Sequence, residues 1–355
     1  MYNQKECLVF SIIYSELTEG RFKKPLINHD ILFHLFLETN NKNINIFNLE
    51  DTEIEKEIEK ISTSFSLKYP RKKVEGRKEK LKTLFLNKSR INELFNIAKS
   101  EIELCHKENI EIINFNDKKY PKSLKELSDP PFTLFVKGNL PSDEELEKSL
   151  AIIGSRKVEP KYSEKVAIKV AESLYDMGWW NISGLALGID TYGHIGSLKK
   201  GGLTGAVLGY GLAQKIYPKE NEKLAYEILE KNGFLLSEIH PSRKIEDIFL
   251  TQRNRLQSGL TRGIFVVATS KNSGTLHTVK HSLSQDSKLT YIWDPMNIKG
   301  HHDILELSGN ISLLKTQNPK DFSSVKFSKK HFNNIQGIKK SEELEKELKK
   351  HRKIP

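Results

Sequence analysis

From residue 150 onward, short apolar runs and amphipathic segments take turns along the chain. Leu150-Ala-Ile-Ile153 is followed by Gly154-Ser155-Arg156, then by a stretch placing Val166, Ala167, Val170, Ala171 and Leu174 on one helical face, with Gly178 as its stop. Trp179–Ser183, Leu203–Leu208, Phe234–Leu236, Gly263–Ala268 and Leu289–Trp293 repeat the run, with helical patterns at 184–198, 221–230 and after Ser273-Gly274-Thr275. Continuous apolar runs alternating with helices predict buried parallel strands in βαβ units, hence a doubly wound, mostly parallel α/β sheet. Residues 1–110 contain almost no Gly. They mix amphipathic with charge-dense segments and predict a helical N-terminal region, with Cys7-Leu8-Val9-Phe10-Ser11-Ile12-Ile13 as the buried stripe of a first helix. After residue 315 the chain turns polar and basic; 316–355 reads as a tail ending in one solvated helix, Ser341–Arg352. The domains expected are therefore 1–110, 111–315 and 316–355.

Charge adds a partner class to this picture. The net charge is +11, and residues 66–90 alone carry ten Lys/Arg against two Glu, while the tail from Lys320 carries eleven against five acidic residues. Such clusters suit a polyanion as well as a plainly solvated surface. No stretch approaches the roughly 18 apolar residues that span a bilayer, and no membrane partner is expected. Cys7 and Cys105 lie far apart without metal-ligand spacing, which fits a reducing, cytoplasmic setting and no metal cofactor.

In a doubly wound sheet, ligands sit beyond the carboxyl ends of the strands. There the chain places Gly154-Ser155-Arg156, Ser183-Gly184 and Ser273-Gly274-Thr275. Gly admits close approach of backbone N–H groups to an anion, and the following helix start adds partial positive charge. The nucleotide signatures fail: Gly196–Gly202 lacks Gly-Lys-Ser/Thr, and Gly209-Tyr210-Gly211 puts Gln214 where a dinucleotide fingerprint needs Gly or Ala. Asp190 and His194, four apart at a helix start, read as capping and packing groups rather than as an acid–base pair. Glu238 reads as an orienting carboxylate. His301-His302-Asp303 has no further ligand cluster around it. Tyr210 and Tyr217 are candidates for stacking on a base or for loop packing.

In order, Tyr120-Pro121, Asp129-Pro130-Pro131, Gly138-Asn139-Leu140, Ala151–Arg156, Ser183–Asp190, His194, Val207–Leu212, Tyr217-Pro218, Leu235–Glu238, Arg253-Asn254-Arg255, Ser258-Gly-Leu260 and Ser273–Thr275 resemble the DNA-processing protein A (DprA, or Smf) family over residues 111 to about 298. The resemblance implies an extended Rossmann-like fold that binds single-stranded DNA without catalysis, aids loading of the RecA recombinase in natural transformation or recombination, and tends to form a homodimer. It also implies phosphate contacts from Gly154, Ser155, Arg156, Ser183, Gly184, Lys219, Ser273, Gly274 and Thr275, with Arg253, Asn254 and Arg255 lining the same groove. Arg offers phosphate a fork of donors and Lys a mobile point charge. The chain departs from the family at Phe249–Gln252, Thr269, Tyr192-Gly193 and after Ser284, which bears on the dimer and RecA contacts more than on the loops. A tail this short and polar is not expected to form the family's usual C-terminal winged-helix unit. An alternative for the same fold is sensing or hydrolysis of a nucleotide in phage defence.

Overall fold

The computed structural model describes all residues except 17, 20–23, 26–28, 62–70, 158–160, 286, 298–303 and 351–355. The stretch around Tyr69-Pro70 and the His301-His302-Asp303 triplet thus lie outside the described residues. Two compact units form: Met1–Val136 with Tyr210–Gln214 and Ser237–Phe249, and Lys137–Gly209 with Lys215–Leu236 and Leu250–Pro355.

The first unit is helical, with helices at Gln4–Glu16, His29–Asn41, Asp51–Lys60, Arg71–Phe85 and Lys88–Lys107. It also holds a short antiparallel pair, β1 (Thr18–Glu19) and β2 (Lys24–Pro25), and the start of an antiparallel pair, β3 (Glu111–Asn114) with β4 (Thr133–Gly138). The first helix is buried all round rather than along one stripe: Cys7, Leu8, Val9, Phe10, Ile12 and Ile13 are all solvent-inaccessible. The Phe10 ring sits 5.1–5.5 Å from those of Tyr2, Phe36, Phe47 and Phe132, an aromatic cluster with the geometry such rings favour. Buried Glu101 accepts hydrogen bonds from the Ser242 backbone (3.0 Å) and hydroxyl and lies 3.2 Å from His240. Burial pushes the Glu101 carboxyl upward, and the His240 and Ser242 contacts more than reverse this, leaving it below its ordinary value.

Four cations of the basic stretch at 66–90 are paired with carboxylates within this unit. Lys78 is buried with its ammonium 3.0 Å from Glu59, Lys82 lies 2.6 Å from the same carboxylate, Lys88 meets Asp51 at 3.1 Å, and Arg90 meets Glu93 at 2.5 Å.

In the second unit the strands are β5 (Ser149–Gly154), β6 (Trp180–Ser183), β7 (Thr204–Leu208), β8 (Phe234–Ser237), β9 (Gly263–Ala268), β10 (Leu289–Trp293) and β11 (Ile335–Ile338), ordered β11-β10-β9-β5-β6-β7-β8. The register-matched neighbours β11, β10, β9, β5, β6 and β7 all run parallel. Along β5 the pleat sends Leu150 and Ile152 to one face, where Val166, Val170 and Leu174 cover them, and Ala151 and Ile153 to the other, under Leu276 and Val279. The order reverses at β5. From β5 the chain steps outward to β6, β7 and β8 and then returns to β9 on the opposite side, which puts a topological switch point between β5 and β9.

The tail differs from its expected form. Ile335–Ile338 is not an appendage but an edge strand paired in parallel with β10, and the helix Ser341–Lys350 buries Leu344 and Leu348 completely against Val166–Leu174, Tyr291 and Ile338. On the opposite face Phe322, Val325, Phe327 and Phe332 close the core. Two leucines four residues apart lie on one helical face, and that single contact turns a charge-rich helix from solvated to docked.

Candidate nucleic-acid interface

Four loops leave the carboxyl ends of the adjacent strands β9, β5, β6 and β7, and hydrogen bonds tie each to the next. Between β9 and β5, the Ser155 N–H donates to the Ala268 carbonyl (2.8 Å) and the Thr275 hydroxyl donates to the Gly154 carbonyl (3.0 Å). Between β5 and β6, the Ile189 N–H donates to the Ser155 carbonyl (3.2 Å), and Gly188 (φ +81°) is pressed so close that a Cβ there would lie 2.3 Å from that oxygen. Any side chain would push the first two loops apart. Between β6 and β7, Asn221 Nδ2 donates to the Leu185 carbonyl and to the Thr191 hydroxyl, both at 2.9 Å. With strands about 4.8 Å apart, four such ends make a continuous rim of about 14 Å.

The rim sorts the expected residues by depth. Arg156 and Lys219 are exposed, the latter just beyond the cis Tyr217–Pro218 bond, and among the described residues neither forms an ion pair. Gly154, Ser155, Asn254, Ser273 and Thr275 are partly exposed, and Gly274 is exposed. Ser273 and Thr275 bond each other, the Ser273 hydroxyl accepting from the Thr275 N–H at 3.2 Å and donating to its hydroxyl at 3.0 Å. The other four lie inside, Arg253 and Arg255 among them. Ser183 is inaccessible, its hydroxyl donating to the Ile152 carbonyl at 2.7 Å. Gly184 is buried because Arg253 lies over it: a Cβ at 184 would fall 1.9 Å from Arg253 Nη1. Arg253 is only 5% exposed and donates to the Val207 carbonyl at 2.6 Å, and Arg255 is buried too. These residues hold the rim up from beneath.

Asp190 and His194 belong to that support and do not pair with each other. Asp190 accepts from the N–H groups of Gly184 (3.1 Å) and Ala186 (3.4 Å), which fixes the second loop. Burial raises its carboxyl above the usual range, opposed by the Arg253 charge. His194 Nδ1 lies 2.7 Å from the Thr204 hydroxyl, whose proton goes to the Asn181 carbonyl (2.8 Å). The imidazole must therefore donate from Nδ1, leaving Nε2 a buried lone pair without a hydrogen-bond partner. Burial, and after it the Arg253 charge, push the imidazolium down to about 3. The unfolded chain accepts that proton near the ordinary value of 6.5, whereas the fold refuses it until about 3, so this residue costs stability as pH falls through that window. Asp190, raised in the fold, works in the opposite direction within the carboxylate range. Urea midpoints should decline from about pH 7 to about pH 5, and His194→Asn should flatten that decline by up to one proton. An unchanged slope in the variant would contradict a neutral buried imidazole.

Of the stacking candidates, Tyr210 is buried and Tyr217 is 47% exposed. Two contributors were missed in the sequence. Asn221 sits where a helix N-cap belongs, yet its side chain makes no cap bond and clamps the neighbouring loop instead. Leu187, at the tip of the second loop, is 39% exposed; an apolar residue in a Gly-rich loop carries no signal of its own.

The family model for DNA recombination-mediator protein A matches residues 111–318. The chain is 36% identical over 177 residues to protein Smf of Borreliella burgdorferi, covering 50% of this chain and 55% of that protein. It is 38% identical over 176 residues to DNA processing protein DprA of Bacillus subtilis, covering 50% and 58%. It thus spans little more than half the length of the curated relatives it matches. Among solved structures, DNA processing protein A from Streptococcus pneumoniae superposes with a TM-score of 0.61 at 23% identity, over 87% of this chain and 97% of that one. The same protein from Helicobacter pylori, described for its single-stranded DNA binding mode, superposes with a TM-score of 0.54 at 24% identity, over 68% and 98%. Both share the Rossmann-like fold. With more than half its length under the family model and the loop motifs standing together at one end of the sheet, the chain belongs to the DNA recombination-mediator protein A family.

Proposed function

We propose that this chain binds single-stranded DNA along its phosphate backbone, with Arg156 and Lys219 as the principal contacts and the Ser273–Thr275 turn as a further phosphate cap. One observation carries the reading: two exposed cations stand on loops that hydrogen bonds fasten to the loop between them, at the ligand-binding end of a parallel sheet. Phosphate contacts position a strand without reading its bases, so sequence preference is weak. The role is binding rather than catalysis, because Asp190 and His194, the nearest acid–base candidates, are buried and committed to holding loops. The recombination-mediator description of the family supports a role in DNA uptake or recombination; delivery of the strand to the RecA recombinase and assembly as a homodimer, which would double the number of rims available, belong to the same proposal. No helix among the described residues is long and apolar enough to cross a membrane.

The test is oligonucleotide affinity against salt. For a single strand, log K should fall with log salt by about 0.7 per phosphate neutralised. Arg156→Ala and Lys219→Ala should each weaken binding uniformly across sequences and reduce that slope by roughly 0.7. Binding no stronger than to a neutral polymer at low salt would end the proposal, and tight binding of a mononucleotide with indifference to oligonucleotides would replace it with nucleotide sensing.

A further inference from the structure

We infer that Leu187 supplies an apolar platform for the bases of the bound strand, so that the rim recognises unstacked nucleobases as well as phosphates. The inference rests on the single-stranded DNA reading above and deepens it. In the second loop, Leu185 and Ile189 are solvent-inaccessible, while Leu187 between them is 39% exposed. A scattered surface leucine is ordinary, but this one is held out by fixed backbone on both sides. Upstream, Asn221 grips the Leu185 and Ala186 carbonyls at 2.9 and 3.4 Å. Downstream, Gly188 is wedged against the Ser155 and Arg156 carbonyls, where a Cβ would lie 2.3 and 2.7 Å away. These contacts also fix its neighbours, with the Arg156 loop on one side and the Tyr217–Asn221 turn on the other. That turn brings a second exposed apolar surface, Tyr217, beside Lys219.

A purely anionic ligand gains nothing from a leucine held between two cations. A duplex gains nothing either, because its base faces are stacked inside. A single strand offers both a charged backbone and free base faces, and sequence-tolerant contact with those faces is how single strands are held apart from duplexes. Leu187 is therefore a contact whose contribution does not depend on salt, set between two whose contribution does.

The experiment compares the wild-type chain with Leu187→Ser and Leu187→Met on two oligonucleotides of equal length, one of thymidines and one of abasic sugars, at several salt concentrations. Leu187→Ser should weaken thymidine-strand binding by about tenfold without altering the salt slope, should leave abasic-strand binding unchanged, and should be rescued by Leu187→Met. Equal affinity of wild type and Leu187→Ser for the thymidine strand would overturn the inference, as would an equal loss on the abasic strand. If wild type binds neither strand, the single-stranded DNA reading itself fails, an outcome distinct from the other two.

Discussion

Arg253→Ala is expected to lower the free energy of unfolding by about 3–5 kcal/mol, the cost of leaving one member of a buried charged set without its counter-charge. The guanidinium donates to the Val207 carbonyl, overlies Gly184 where no side chain fits, and is the charge that opposes the burial-driven rise of the Asp190 carboxyl. Its removal leaves a carbonyl short of a donor and Asp190 short of a cation, while opening space beside Gly184. Arg253→Lys should recover only part of the loss, because a single ammonium cannot reproduce the planar fork. Guanidinium denaturation with matched m-values reads the effect directly. A loss under about 1 kcal/mol would mean that Arg253 is a surface contact after all. The comparison also separates two roles: Arg156→Ala should weaken DNA binding and leave stability almost untouched, whereas Arg253→Ala should do the reverse in whatever fraction remains folded.

That contrast marks where the sequence was legible and where it was not. The six strands read as apolar runs fall within a residue or so of the strands observed, because a parallel strand covered on both faces must be apolar at nearly every position. The loops at their carboxyl ends were legible for the same reason, since the end of an apolar run is visible in sequence. Depth was not legible. Arg156 and Arg253 sit in equally motif-like surroundings, and only the chain crossing that lays residue 253 over Gly184 decides which one meets solvent. Charge pairing was hidden likewise, because Glu59 neutralises Lys78 and Lys82 from a separate helix. The strand Ile335-Gln336-Gly337-Ile338 was invisible because it has one well-buried residue, and its pairing is dictated by β10 rather than by its own pattern.

The helix that follows that strand carries the second large effect. Leu344→Ala should cost about 2–5 kcal/mol and Leu348→Ala a similar amount, the range for truncating a fully buried leucine when its surroundings cannot collapse into the space. Both side chains are inaccessible and share one cluster with Val166, Val170, Leu174 and Ile338, so their costs are not independent and the double variant should lose less than the two losses added together. A solvated tail would show changes within about 0.5 kcal/mol at these positions, so one denaturation series separates a docked helix from an appended one. The consequence reaches the rim through a short path: the helix Lys161–Asp176, on which Leu344 and Leu348 pack, comes next in the chain after the loop bearing Arg156. Hydrogen exchange in Leu344→Ala should therefore rise first at Ile335–Ile338 and next along Lys161–Asp176, while β6 and β7 keep their protection. Oligonucleotide affinity should fall severalfold with an unchanged salt slope, because the cations remain and only the rigidity with which Arg156 is presented has been reduced.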